Sequence, residues 1–496
     1  MPMTEKLIRR SIGSGLFGLL AISVLGALAT HFVASHFGPS QFGILSLSLA
    51  LSTTVQGLCE FGQTTILQRE IARTPNKEAK LIGFSLGLRL AITIVATVIF
   101  SAIGAMLYGS HSFVATATIV CSMCSLPALA VVQVVATIFF QRHRNGFLVS
   151  VNVFQQCVYL LGVCLILFVH AQIEWIAMAN GATTVIQAFI IFFAARKLMR
   201  IRPHFNLAIW KSNLRMAAPL GAAAVLGSLY LRMDVLLLGL LDTRSYIGQY
   251  SVSIAICSFF FAIPGMLTSI YLPHLSRLDE TWISSARDLL GLSWAVGSLS
   301  AIVIYIGAPL AIKLFAGSQY HEAIGPLRVL GFSVVSIFVS SAQSAIWIAR
   351  GFKRKIAIIS SILLVVNVVL NIVAIPILGI IGSAFATTLC ESTGLVLLSC
   401  LLSREPTLGF RRLNRPMPSL IALAVVFLVS GLIGAPHQTD TWLVLLQIVF
   451  YVGMFAVLLL LMGGVPQSLL LLIASQGRHA KGGPWRRLTD RSRWRN

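Results

Sequence analysis

"SLYLRMDVLLLGLL", residues 228–241, is apolar along its whole length except at Arg232 and Asp234. A single charged side chain at the centre of a bilayer costs about 2.5–3.5 kcal/mol on insertion scales. Two of them in one such stretch mark a functional or paired position, provided the rest of the chain reads as membrane-embedded. It does. The 496 residues are 57% hydrophobic and 10% charged, where soluble domains carry roughly 25% charged residues. Apolar runs of about 20 residues, each long enough to cross a hydrocarbon core about 30 Å thick, recur throughout. The runs predict an all-α polytopic membrane protein of about 14 transmembrane helices, at 12–36, 41–66, 81–107, 112–140, 147–170, 174–195, 214–240, 246–271, 288–311, 323–349, 356–376, 379–402, 419–434 and 441–463.

A net charge of +22 raises the question of nucleic acid, and the placement of the 37 Lys and Arg residues argues against it. Thirty-two fall in alternate connections between the expected spans, and the opposite set of loops holds only Arg244 and Lys313. That asymmetry is the positive-inside signature and predicts cytoplasmic N and C termini. A nucleic-acid binder would gather its basic residues on one soluble face. The tail "RHAKGGPWRRLTDRSR", 478–493, is expected to lie against anionic headgroups or in solution. The basic residues ahead of the first run resemble a signal peptide, but the run is too long for one, so an uncleaved first helix is expected.

All eight cysteines fall inside spans, where Cys packs as a small apolar residue, and Cys121 with Cys124 form a CxxC with no His or carboxylate nearby. The histidines lack metal-ligand spacing, and there is no phosphate-binding glycine loop and no nucleophile motif. No cofactor, no metal and no enzymatic reaction are expected. A membrane enzyme would need a sizeable catalytic loop, and the expected external loops are at most about eleven residues. Pro127, Pro219 and Pro264 lie inside spans, where each permits a bend.

The longest internal connection, "RKLMRIRPHFNLAIWKSNLR" at 196–215, contains six basic residues together with Phe205 and Trp210, so part of it is expected to lie flat in the interface. It divides the first twelve spans into six and six. "GATTVIQ" at 181–187 echoes "FATTLCE" at 385–391, "FGILSLSLA" at 42–50 echoes "IGQYSVSIA" at 247–255, and "ATIFFQR" echoes "SAIWIAR", all at offsets of about 204–208. The expected organisation is an N-terminal lobe over 1–195, a basic linker over 196–213, a C-terminal lobe over 214–402, two further helices within 403–473 and a basic tail over 474–496. Two six-helix lobes are the plan of a rocking transporter.

Six charged residues inside spans are candidates for function: Glu60, Arg89, Arg232, Asp234, Arg328 and Glu391. Glu60 and Arg89 each sit roughly 13 Å in from the cytoplasmic side at 1.5 Å per residue, and are expected to pair or to line an inward cavity. On a continuous helix Arg232 and Asp234 would point about 200° apart, one to a cleft and one to a polar partner. Glu391, whose repeat equivalent is Gln187, either carries a proton or is a hydrogen-bonded acid.

Five stretches resemble one family. "FGPSQFGILSLSLAL" (37–51), "CEFGQTTILQREIAR" (59–73), "RMDVLLLGLLDTRSYIGQYSVS" (232–253), "PHLSRL" (273–278) and "NVVLNIVAIPILGIIGSAFATTL" (367–389) are similar to the polysaccharide-transport, Wzx-type flippases of the multidrug/oligosaccharidyl-lipid/polysaccharide exporter superfamily. Gln41 stands where that family commonly has an acidic residue. The resemblance implies export of an undecaprenyl-diphosphate-linked oligosaccharide across the inner membrane. Implied partners are that lipid-linked oligosaccharide, membrane lipids, and a polysaccharide polymerase and chain-length regulator. Arg suits multidentate phosphate binding, so Arg89, Arg232 and Arg328 are the expected substrate contacts and Glu60, Asp234 and Glu391 the expected ion-coupling or structural residues. A cation-coupled multidrug antiporter of the same superfamily and a peptidoglycan-precursor flippase are the competing readings.

Overall fold

The computed structural model describes residues 5–108, 112–142, 144–241, 244–276, 281–404, 416–433, 441–462 and 464. Among them every regular element is helical: α1 (Glu5–Glu60), α2 (Gln63–Arg73), α3 (Glu78–Tyr108), α4 (Phe113–Met123), α5 (Leu126–Gln141), α6 (Asn145–Phe168), α7 (Ile173–Arg196), α8 (Leu207–Tyr230), α9 (Met233–Leu241), α10 (Arg244–Leu275), α11 (Thr281–Phe315), α12 (Ile324–Ala349), α13 (Lys353–Ser403), α14 (Met417–Ile433) and α15 (Thr441–Leu461). Short 3-10 turns at Pro75–Lys77 and Ser318–Ala323 precede α3 and α12. Ten helices are long and apolar enough to cross a membrane, or eleven if the bent pair α8–α9 counts as one crossing. The basic tail and the loop at 405–415 lie outside the described residues.

Two of the ten runs, Leu20–Arg73 and Ile358–Ser403, are 54 and 46 residues long, more than twice what a span needs, and each is sharply broken. The break in α1 is at Gly38, with φ 75° and ψ 174°, and that in α13 is at Gly379, with φ 57° and ψ −135°. Both conformations are open essentially to glycine alone. Pro39 follows the first break and so starts a helix where its missing N–H costs nothing. These are the corners that the sequence placed at 37–40 and 377–378.

Other helices break within an expected span. Phe61 and Gly62 (φ 43° and 67°) separate α1 from α2, and Cys124 and Ser125 separate α4 from α5, with Pro127 in the first turn of α5. The linker differs from expectation. Residues 197–206 are irregular, with the His204 N–H donating to the Gly83 carbonyl at 3.0 Å. Asn206 Oδ1 then accepts from the Ile209 N–H and α8 runs on unbroken through 207–213, so the irregular linker ends at Asn206 and Trp210 belongs to α8.

Contacts divide the chain into two compact units, Met1–Ile256 with Ala311–Leu327 and Ser360–Cys390, and Cys257–Leu310 with Arg328–Ile359 and Glu391–Asn496. In the first, α3 explains its own orientation. Ile82, Leu86, Arg89 and Thr93 recur at helical spacing and are buried, while Ile94, Val95, Val98 and Ile103 form an exposed apolar stripe suited to lipid. The buried stripe packs against α5, in a cluster with Leu67, Val135, Ile138 and Ile191. In the second unit, Tyr305 meets Phe332 and Phe427 edge-to-face while those two rings are tilted at 36° to each other, and Gln343 Nε2 donates to Ser399 Oγ at 2.7 Å.

Candidate functional site

The charges in residues 228–241 sit at a break. α8 ends at Tyr230, α9 begins at Met233, and the two segments are bent by 52°. Arg232 and Asp234 therefore do not share one continuous helix: Arg232 lies in the turn, and Asp234 lies in the first turn of α9. A helix start leaves N–H groups unpaired and its macrodipole favours an anion there. Asp234 Oδ1 accepts from the Val235 N–H at 2.8 Å, and Oδ2 accepts from the Tyr250 hydroxyl at 2.7 Å. The carboxylate is buried and Tyr250, on α10, fully so. Ser383 also meets the Tyr250 hydroxyl; its own hydroxyl donates to Asn371 Oδ1 at 2.8 Å, and Asn371 Nδ2 donates to the Asn367 carbonyl at 2.9 Å. A buried polar chain thus runs from α9 through α10 to both halves of α13.

Arg232 is half-buried and, among the described residues, has no carboxylate within ion-pair distance. Asp234 attracts it through space but spends its oxygens on Tyr250 and the backbone. Arg89 differs. It is 2% exposed, its Nη1 donates to the Glu60 main-chain carbonyl at 3.3 Å, and its Nη2 donates to Gln133 Oε1. The expected side-chain pair between Glu60 and Arg89 is therefore a side-chain-to-backbone contact. The Glu60 carboxylate instead lines a cavity of about 290 Å³ with Thr64, Gln133 and Asn152. In the second unit Arg328 is half-buried, with Nε on the Tyr305 carbonyl at 3.2 Å and its guanidinium 5.2 Å from the Tyr305 ring centre. Glu391 is half-buried on α13 beside Ser392, which bonds Ser336 at 3.1 Å.

Sequence reasoning missed the neutral polar groups. Gln187 Nε2 donates to Asn152 Oδ1 at 2.7 Å and Gln155 Nε2 to Thr183 Oγ1 at 3.1 Å, joining α6 to α7. At the end of the first unit away from the basic loops, Gln319 Nε2 donates to the Ser35 carbonyl at 3.0 Å and Tyr320 to the Ala34 carbonyl at 3.0 Å. Gln249 Nε2 donates to the Gln319 carbonyl at 3.0 Å, and the His31 ring N–H to the Phe315 carbonyl at 2.8 Å. Gly248 lies so close to Pro39 that a Cβ there would stand 1.9 Å from the Pro39 carbonyl oxygen. Carboxamides and Tyr hydroxyls on apolar helices are the signal that could have found these clusters. At the opposite, basic end, Lys211, Ser212, Arg215 and Met216 of α8 border a depression of about 440 Å³. No cluster of three or more His, Cys, Asp or Glu able to hold a metal occurs among the described residues.

Ten or more long apolar helices, one bent pair of them broken at Arg232, make this a multi-pass membrane protein. The chain belongs to the polysaccharide biosynthesis protein family (Polysacc_synt), whose profile matches residues 8–278, more than half of its length. It is 26% identical over 180 residues to the "Probable flippase AglR" of Haloferax volcanii, a match covering 34% of this chain and 37% of that protein. It is 25% identical over 213 residues to the "Capsular polysaccharide biosynthesis protein CapF" of Staphylococcus aureus, covering 40% and 52% respectively. The chain thus spans between about a third and a half of the length of these curated relatives. Its fold is similar to that of the lipid II flippase MurJ in an inward closed conformation, with a TM-score of 0.73 at 15% identity over 89% of this chain and 97% of that one. It is also similar to an inward-facing multidrug resistance MATE transporter, with a TM-score of 0.60 at 15% identity over 79% and 96%.

Proposed function

We propose that this protein moves an undecaprenyl-diphosphate-linked oligosaccharide from the cytoplasmic to the outer face of the inner membrane, for surface or exopolysaccharide synthesis, by alternating access. The observation that carries the reading is Arg232: a half-buried guanidinium at a helix break, with its nearest carboxylate already engaged by Tyr250. A cation kept in that state inside an apolar span calls for an anionic ligand, and a diphosphate matches the guanidinium fork. Arg328, a half-buried guanidinium beside the Tyr305 carbonyl and ring, is a second candidate contact, and Arg89 serves by positioning Gln133 and the end of α1. Asp234, Glu60 and Glu391 are the candidate groups for coupling to an ion.

In this reading the basic ends of the helices are cytoplasmic, with the depression at Lys211 and Arg215 where a diphosphate headgroup first arrives. The two doubled runs each make two crossings, and with the bent pair and α14 the chain makes fourteen, arranged as repeats over 1–195 and 214–402. The hydrogen bonds of Gln319, Tyr320 and Gln249 are the outer seal that would open and close during transport. A negative-inside potential favours outward passage of an anion by about 2.3 kcal/mol per charge per 100 mV.

The test compares a deletion strain with its complemented parent, measuring surface polysaccharide and the membrane face that carries the lipid-linked oligosaccharide. Accumulation on the cytoplasmic face with loss of surface polymer is the expected result. Normal polymer and sidedness, with hypersensitivity to cationic drugs and no second flippase present, would instead assign the protein to drug export.

A further inference from the structure

The cavity beside Glu60 belongs to neither the Arg232 break nor the outer seal. Its lining combines the polar residues Glu60, Thr64, Gln133 and Asn152 with apolar side chains that include Val132 and Phe140. At about 290 Å³ it stands at the lower end of small-ligand sites, roughly 300–1,000 Å³.

Its hydrogen-bonding character follows from what lies behind it. Arg89 only donates, so the Gln133 atom it meets is the oxygen, and the Gln133 NH₂ is left for the cavity. Asn152 Oδ1 is likewise taken by Gln187 Nε2, leaving the Asn152 NH₂. The lining thus offers two amide donors, a Thr hydroxyl that can donate or accept, and a carboxylate acceptor. The charge is also compensated, because the Glu60 carboxylate is attracted by the Arg89 guanidinium held at its own backbone. An anion would face the carboxylate. A cation would face two amide groups turned donor-first. A neutral ring bearing several hydroxyls, each able to donate and accept, with one apolar face for Phe140, satisfies every group.

We propose that this cavity is a subsite for one neutral sugar ring of the transported glycan. The inference rests on the flippase reading and adds a glycan contact separate from the diphosphate contact at Arg232. Gln133 and Asn152 orient hydroxyls, Glu60 accepts from them, and Arg89 acts as a positioning residue.

The test uses the purified full chain in nanodiscs and two probes, undecaprenyl diphosphate and undecaprenyl-diphosphate-linked N-acetylglucosamine. The unaltered protein is expected to bind the sugar-bearing lipid more tightly. Asn152→Leu and Thr64→Val should each weaken that binding by about five- to tenfold, the loss of one or two neutral hydrogen bonds, and leave the bare lipid unchanged. Thermal unfolding checks that both variants fold, and the milder Thr64→Val decides if Asn152→Leu does not. Equal binding of both lipids by the unaltered protein, or equal loss of both in the variants, overturns the subsite while leaving the flippase reading intact. Binding of neither lipid, with ethidium bound and lost on Glu60→Gln, overturns both and gives the cavity to cations.

Discussion

Arg89 is buried within α3 and Arg232 half-buried at the α8–α9 break, and removing them should produce opposite phenotypes. In Arg89→Ala the Gln133 oxygen and the Glu60 carbonyl each lose a donor in a site that is 2% exposed. Stranding a buried acceptor costs about 1–3 kcal/mol, so the pair predicts about 2–6 kcal/mol of lost stability. In Arg232→Ala nothing comparable is stranded, because the Asp234 oxygens keep Tyr250 and the Val235 N–H; the change in stability should stay within about 1 kcal/mol. Binding should show the reverse. A hydrogen bond to a charged group is worth about 1.5–3 kcal/mol, and at about 1.4 kcal/mol per tenfold the loss of Arg232 should weaken undecaprenyl diphosphate binding by about 10- to 100-fold. Arg232→Lys, which keeps the charge and loses the fork, should fall between. The assay is thermal unfolding by tryptophan fluorescence beside lipid affinity on the same preparations. Arg232→Ala protein that unfolds as readily as Arg89→Ala and binds the lipid normally would refute the division of roles, and with it the observation on which the flippase mechanism stands.

In a double-mutant cycle, Tyr250→Phe and Asp234→Asn should show a coupling of about 1.5–3 kcal/mol in unfolding, since the two side chains share one buried bond to a charged group; additive effects would remove that bond. Tyr320→Phe deletes one hydrogen bond to the Ala34 carbonyl and, at about 1 kcal/mol, should raise the open population of the outer end about fivefold; labelling of a Ser35→Cys reporter by a membrane-impermeant maleimide would measure it. Gly248→Ala, whose methyl meets the Pro39 carbonyl at 1.9 Å, should greatly accelerate the same labelling or abolish folded protein. Arg142→Ala breaks a bidentate contact with Glu78, at 2.7 and 3.0 Å, near the surface, and should cost only about 0.2–1 kcal/mol.

How much of this was legible before the structure depends on what each feature is made of. The corners at Gly38 and Gly379 were readable because glycine and proline announce them locally, between apolar runs of known length. The break at Leu231 and Arg232 was not, because no glycine or proline marks it; it is stabilised from afar, by Tyr250 sixteen residues on from Asp234. A continuous helix was the natural reading of that stretch, and that premise falls with the break, although Asp234 does meet a polar partner on a neighbouring helix and forms no ion pair with Arg232. The charged candidates were found because charge is conspicuous in apolar sequence. Gln133, Asn152, Gln249 and Gln319 were overlooked, and Gln187 noted only as the repeat equivalent of Glu391, because a carboxamide is tolerated in a helix and shows its purpose only when its partner is known. Arg89 makes the same point in reverse. Its burial follows from its phase with Ile82, Leu86 and Thr93, but its choice of a carbonyl over the Glu60 carboxylate depends on where α1 stops.

The corner at Gly379 also has a bearing on how the chain can be probed. Gly382 approaches Ala374 so closely that a Cβ would stand 2.2 Å from its carbonyl oxygen, and Ser383 reaches Asn371 across the turn. With no slack between them, the two arms of α13 reach their final packing together, and a segment inserted at the corner would prise them apart. A topology reporter spliced into 376–383 would report on its own disruption of that pair, so mapping the sidedness of this corner calls for small chemical labels and not for fused domains.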